Sequence, residues 1–103
     1  MEEDRARTPI HPGEILSGEL RALGISAAEL ARLIHVPANR VSQILSGKCN
    51  ITADTALRLG RWFGTGPQLW LNLQQAYGLD LARQQLGEAL ETIEPRVPVA
   101  INA

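Results

Sequence analysis

Between Ala38 and Ser46 the sequence reads ANRVSQILS. A helix there that turns Val41, Ile44 and Leu45 inward leaves Ala38, Asn39, Arg40, Ser42, Gln43 and Ser46 pointing outward. These side chains are short, polar and rich in donors and acceptors. Asn and Gln can each pair through two hydrogen bonds with adenine, and an alanine methyl can touch a thymine methyl, so the face suits base edges in a DNA major groove. The solvated face of any helix has a similar composition, so the face alone decides nothing. Other chemistry has less support. His11 and His35 lie far apart with no Cys or His at ligand spacing, and no metal is expected. Cys49 is the single cysteine, has no base beside it, and reads as a loop thiol rather than a nucleophile. Without a Gly-rich phosphate loop, a paired acid and base or a nucleophile elbow, neither an enzyme nor a cofactor is expected.

A groove-reading face needs a second helix crossing it steeply around a short turn. Residues 27–46, AAELARLIHVPANRVSQILS, have that pattern. Ala31 is the small residue where the two helices would touch. Leu30 and Ile34 lie before the turn, Val36 just after it, and Val41 and Ile44 beyond. The turn favours a left-handed backbone, easiest for glycine; here it holds His35, tolerated at a cost of about 1 kcal/mol. With Gly47–Lys48 and a threonine-capped helix following, the register favours a DNA-reading pair over a packing one.

The remaining elements are also helical. Pro12 suits a first turn, and Ile15, Leu16, Leu20 and Leu23 recur at helical spacing up to a stop at Gly24. His11, just before Pro12, is placed to cap that helix. Ser26 and Glu29 form a capping box for the second helix, with Leu30, Leu33 and Ile34 on one face and an end near His35, since Pro37 disfavours helix at Val36. Pro37 then starts the third helix. Thr52 is the expected N-cap of the fourth, with Ala56, Leu57, Leu59, Trp62 and Phe63 inward and Gly64 closing it. Pro67 starts the fifth, with Leu69, Trp70, Leu73 and Tyr77; Gly78 is a weak point costing about 1 kcal/mol, beyond which helix resumes through Leu81, Ala82, Leu86 and Leu90. The expectation is an all-α domain over 9–93, with a flexible arm at 1–8 and an extended or disordered tail at 94–103.

Length and charge agree with this. One domain is expected of 103 residues that are 45% hydrophobic with a net charge of −1; two cores, wholesale disorder and a bilayer-spanning segment are not. The opening MEEDRARTPI is charged where an export signal would be apolar, so a cytoplasmic chain is expected. The charge is unevenly spread. Residues 26–63 carry Arg32, Arg40, Lys48, Arg58 and Arg61 against Glu29 and Asp54, whereas both flanks are net acidic. The middle third is the part able to face a polyanion.

HPGEIL at 11–16, the helix pair above, LSGKCNITADTALRLGRWFG at 45–64 and WLNLQQAYGL at 70–79 together resemble HigA-type antitoxins, also called the virulence-associated protein I family, of the XRE/Cro-like helix-turn-helix superfamily. The resemblance covers about residues 8–94. It departs at His35, where a turn glycine is usual, at Pro37, where a small hydroxyl cap is usual, and at Cys49, which is no motif position.

The resemblance implies a five-helix lambda-repressor-like fold. It also implies an autorepressor, usually a homodimer, that binds a palindrome in its own promoter and neutralises a RelE/HigB-like mRNA-cleaving toxin. Carried over by position, Ala38, Asn39, Ser42 and Gln43 would read bases in double-stranded operator DNA. Arg40, Lys48, Asn50 and Thr52 would meet the DNA backbone, as would Ser26, Ala27 and Ala28 through amides at the start of the second helix. The fifth helix, with Trp70, Leu73, Gln74 and Tyr77 and the stretch to Leu90, is expected to supply the dimer contact; capping the monomer core is the alternative for Trp70 and Tyr77. For His11 the resemblance implies a toxin-facing surface as the alternative to a cap. Two further functions stay open: a stand-alone XRE-family repressor without a toxin, and an interaction module that has lost DNA binding.

Overall fold

Local side-chain chemistry sets the helix ends. In the computed structural model, which describes residues 8–96, the helices are α1 (Pro12–Leu23), α2 (Ala27–Leu33), α3 (Ala38–Leu45), α4 (Ala53–Phe63) and α5 (Pro67–Leu86), followed by a 3-10 turn at Gly87–Thr92. Apart from Thr8, the arm expected at 1–8 lies outside the described residues, as does the tail from 97 onward. No strand occurs among the described residues, and no helix among them is long and apolar enough to cross a membrane.

The caps follow the sequence closely. His11 resolves to a cap: its Nδ1 accepts the Gly13 N–H at 2.9 Å and satisfies one of the orphan donors of α1. Ser26 Oγ accepts the Glu29 N–H at 3.1 Å, and Thr52 Oγ1 accepts the Thr55 N–H at 3.3 Å. Pro37, at φ −59°, precedes α3 and makes no side-chain cap bond.

Leu16, Leu20, Leu30, Ala31, Ile34, Val41, Ile44, Ile51, Ala56, Leu59 and Trp70 form one buried cluster, so every helix contributes to the core. Several residues expected to face inward do not. Ile15, Leu23, Leu33, Leu57 and Trp62 are exposed. In α4 the reason is angular. Ala56, Leu59 and Gly60 share the buried face at three- and four-residue steps, whereas Leu57 stands about 100° round the helix from Ala56 and about 160° from Leu59, off the centre of that face. Trp62 lies at the edge of that face, its ring edge-on to the half-buried Phe63 at 4.9 Å.

Gly78 does not break α5. The helix runs through it for 20 residues, because Tyr77 and Asp80 on either side stay packed. From Ala82 to Arg96 every residue is exposed, so the far end of α5 and the 3-10 turn have no core of their own.

Two glycines set close approaches that no side chain could share. A Cβ on Gly13 would overlap the Ile44 carbonyl, which puts the start of α1 directly on the last turn of α3. A Cβ on Gly60 would overlap the Gly66 carbonyl, where the chain enters α5.

Candidate nucleic-acid interface

The α2–α3 pair is a helix-turn-helix in geometry as well as in sequence. Ala31 is 1% exposed at the contact, and its carbonyl accepts the Val36 N–H at 3.0 Å, drawing the turn back over α2. His35 sits at φ 62°, the one non-glycine with positive φ among the described residues. The expected left-handed turn is there, and its imidazole is exposed.

On α3, Val41 and Ile44 are buried while Ala38, Asn39, Ser42 and Ser46 are exposed. The hydroxyls of Ser42 and Ser46 donate to the Asn39 and Gln43 carbonyls of their own helix, both at 3.1 Å, leaving oxygen lone pairs to face outward. Asn39, exposed, is the least constrained of the expected base readers on this face. Gln43 is more constrained than its sequence position suggested. It is half-buried, and its Oε1 accepts the Cys49 Sγ–H at 3.2 Å. Cys49 is therefore a loop thiol with a task, holding the amide oxygen toward the 47–52 loop.

The expected backbone-contacting residues divide. Lys48 and Asn50 are exposed beside the end of α3, and Arg40 is half-buried on a groove of about 600 Å³ that Asn50, Thr52 and Arg58 also line. Thr52 is committed to its cap: its hydroxyl accepts the Thr55 N–H and donates to the Thr55 Oγ1. Ser26 is likewise a cap, Ala27 packs partly against the core, and Ala28 is exposed. Of the cations in this third of the chain, Arg32 pairs with Glu29 at 3.9 Å and Arg58 with Asp54 at 2.6 Å. Arg40, Lys48 and Arg61 make no ion pair among the described residues, so the face is net positive as expected.

Comparison with known proteins decides the family. A helix-turn-helix family model matches residues 19–70. Virulence-associated protein I of Dichelobacter nodosus is 53% identical over 95 residues, covering 91% of this chain and 84% of that one. The solved structure of an addiction module antidote protein of the HigA family from Coxiella burnetii has a TM-score of 0.84 at 50% identity, covering 86% of this chain and 99% of that one. The Pseudomonas aeruginosa antitoxin HigA, solved with the higBA promoter, has a TM-score of 0.83 at 47% identity, covering 87% and 100%. The chain belongs to the HigA family.

In this HigA-type chain the residues expected at a dimer contact are mostly spent on the monomer. Trp70 is 1% exposed and packs against Phe63 with ring centroids 5.3 Å apart. Leu73 is half-buried against the core. The Gln74 Oε1 accepts the Ile51 N–H at 2.7 Å, pinning the loop before α4 to α5. Tyr77 meets His11 edge to face at 4.9 Å. Trp70 and Tyr77 thus make their contacts within the monomer, to Phe63 and His11, and Gln74 braces the loop before α4.

Sequence reasoning missed Gly13 and Arg58. Arg58 Nη1 donates to the Ile34 carbonyl at 2.9 Å and the His35 carbonyl at 3.1 Å, while its Nε donates to Asp54 Oδ1 at 2.6 Å. The i,i+4 spacing of Asp54 and Arg58 was a visible signal for the ion pair alone.

Proposed function

We propose that this chain is a type II antitoxin that represses its own promoter by laying α3 in the major groove, and that it also binds and neutralises a RelE/HigB-like toxin in the cytoplasm. The observation that carries the proposal is the open polar face of α3, with Asn39 exposed and Arg40 and Lys48 free of ion pairs among the described residues, in a chain of HigA architecture. Base contacts would come from Asn39, with Ala38, Ser42 and Gln43 around it. Backbone contacts would come from Lys48, Asn50 and Arg40.

A mobility shift on the protein's own upstream region, with and without the neighbouring gene product, tests both activities. Asn39→Ala should weaken the operator complex by about 1–3 kcal/mol and relax preference at one position. Lys48→Ala should weaken all sequences alike and lower the salt slope by about one. Identical behaviour of the two variants would contradict this division of labour.

One module buries little surface, so the proposal includes a homodimer spanning two half-sites. Its contact is moved outward from Trp70 to the exposed apolar residues Leu79, Ala82 and Leu86 at the end of α5 and Leu90 in the 3-10 turn, which have no core of their own to cover. Sedimentation at micromolar concentration should show a dimer, and Leu86→Glu should convert it to monomer while changing stability of the helical body by no more than about 0.5 kcal/mol. A Leu86→Glu protein that still sediments as a dimer would move the contact elsewhere.

A further inference from the structure

Arg58 belongs to α4, yet its guanidinium ends on the turn between α2 and α3. It donates to the carbonyl of Ile34, the C-cap of α2, which has no intrahelical partner, and to that of His35, the next residue along the turn. A cation there also complements the negative end of the helix dipole. Asp54, one turn earlier on α4, holds the Nε at 2.6 Å and so fixes the plane of the fork. The clamped residue is the strained one, His35 at φ 62°. The main chain holds the turn through Val36 N–H to the Ala31 carbonyl at 3.0 Å and, more loosely, His35 N–H to the Arg32 carbonyl at 3.3 Å, and the side-chain clamp adds a restraint on the opposite, carbonyl side.

We infer that Arg58 is a positioning residue for the reading helix: by clamping the left-handed turn it sets the angle at which α3 presents Asn39, and through that angle the sequence selectivity of the protein. The inference rests on the operator reading of α3 and adds a residue whose side chain is turned to the protein's own backbone. Hydrogen bonds to base edges tolerate only a few tenths of an ångström, so a few degrees of freedom at the turn erode selectivity before they unfold the domain. Phosphate contacts, being looser and shared among several cations, change less.

The experiment measures affinity for operator and for scrambled duplex across a salt series, using the full chain, with the folded fraction of each variant checked by circular dichroism at the assay temperature. Arg58→Met should cut the operator-to-scrambled ratio about tenfold, the size of one lost base contact, with scrambled-duplex affinity and salt slope unchanged. Arg58→Lys, which keeps the charge and favours folding, should show most of the same loss, because an ammonium cannot span two carbonyls and a carboxylate as the planar fork does. Adding His35→Gly to Arg58→Met should restore most of the ratio, since glycine adopts the turn without a clamp. A uniform loss on both duplexes with the salt slope falling by about one would make Arg58 a phosphate contact and overturn the inference. An Arg58→Lys protein matching wild type, or a failure of His35→Gly to rescue, would overturn it too. A wild-type chain that does not prefer its operator would sink the operator reading itself, and that is measured before any variant.

Discussion

Gly13→Ala should destabilise the domain by about 1–3 kcal/mol and, with α3 the proposed reading helix, weaken operator binding as well, although the substitution lies outside α3. Gly13 is buried in the first turn of α1, where helix propensity alone would favour alanine by up to about 1 kcal/mol. Sterics outweigh that gain. The new Cβ would overlap the Ile44 carbonyl and come within 3.0 Å of Leu45 Cα, both main-chain atoms of α3 that no rotamer change can move aside. Either the start of α1 lifts, straining the bond from the Gly13 N–H to His11, or the end of α3 is pushed outward. Urea unfolding should show a lower midpoint at constant m-value, and operator binding should fall more than binding to scrambled duplex. Gly18→Ala is the control: a Cβ there meets nothing within 4 Å, and the variant should be more stable by about 0.5–1 kcal/mol. A neutral Gly13→Ala would mean that the two helices can separate freely, and that α1 does not fix the seat of the reading helix.

The parts of this fold that could be read from sequence are those decided within a few residues. His11 before Pro12, Ser26 and Thr52 each cap the N–H two or three positions on, so type and spacing suffice. The His35 turn was legible for the same reason: Ala31, Ile34, Val36 and Pro37 constrain it locally. What failed depended on angles and distances between helices. Ile15, Leu33 and Leu57 are apolar at helical spacing, yet the buried face of each helix is narrower than a stripe of apolar letters. Gly78 was overrated as a breaker, because propensity of about 1 kcal/mol is small beside the packing around it. Gly13, Arg58 and Gln74 were opaque. Each acts on a segment far away in the chain: Arg58 on carbonyls 24 and 23 positions earlier, and Gln74 on an amide 23 positions earlier. On α3 itself the outward face was found, but not the thiol that holds the Gln43 oxygen toward the loop.

Trp70→Ala should lower stability by about 3–5 kcal/mol, the range for deleting a large aromatic from a packed core. Trp70 heads the fully buried side chains, lies against Phe63, and is the one residue of α5 in the central cluster. A domain of this size has roughly 5–15 kcal/mol in hand, so the variant would sit close to its unfolding midpoint at physiological temperature. Trp70→Phe should lose only about 1–2 kcal/mol, since it keeps most of the apolar area and the indole Nε1 it removes has no hydrogen-bond partner among the described residues. Protein concentration separates this from a contact between subunits. If Trp70 stabilises its own chain, the loss is the same at low and high micromolar concentration by thermal unfolding. If it stabilises an interface, the deficit shrinks as concentration rises and mass action restores the dimer. At 1% exposure the indole has almost no surface left to offer a second chain, and the concentration-independent outcome is expected.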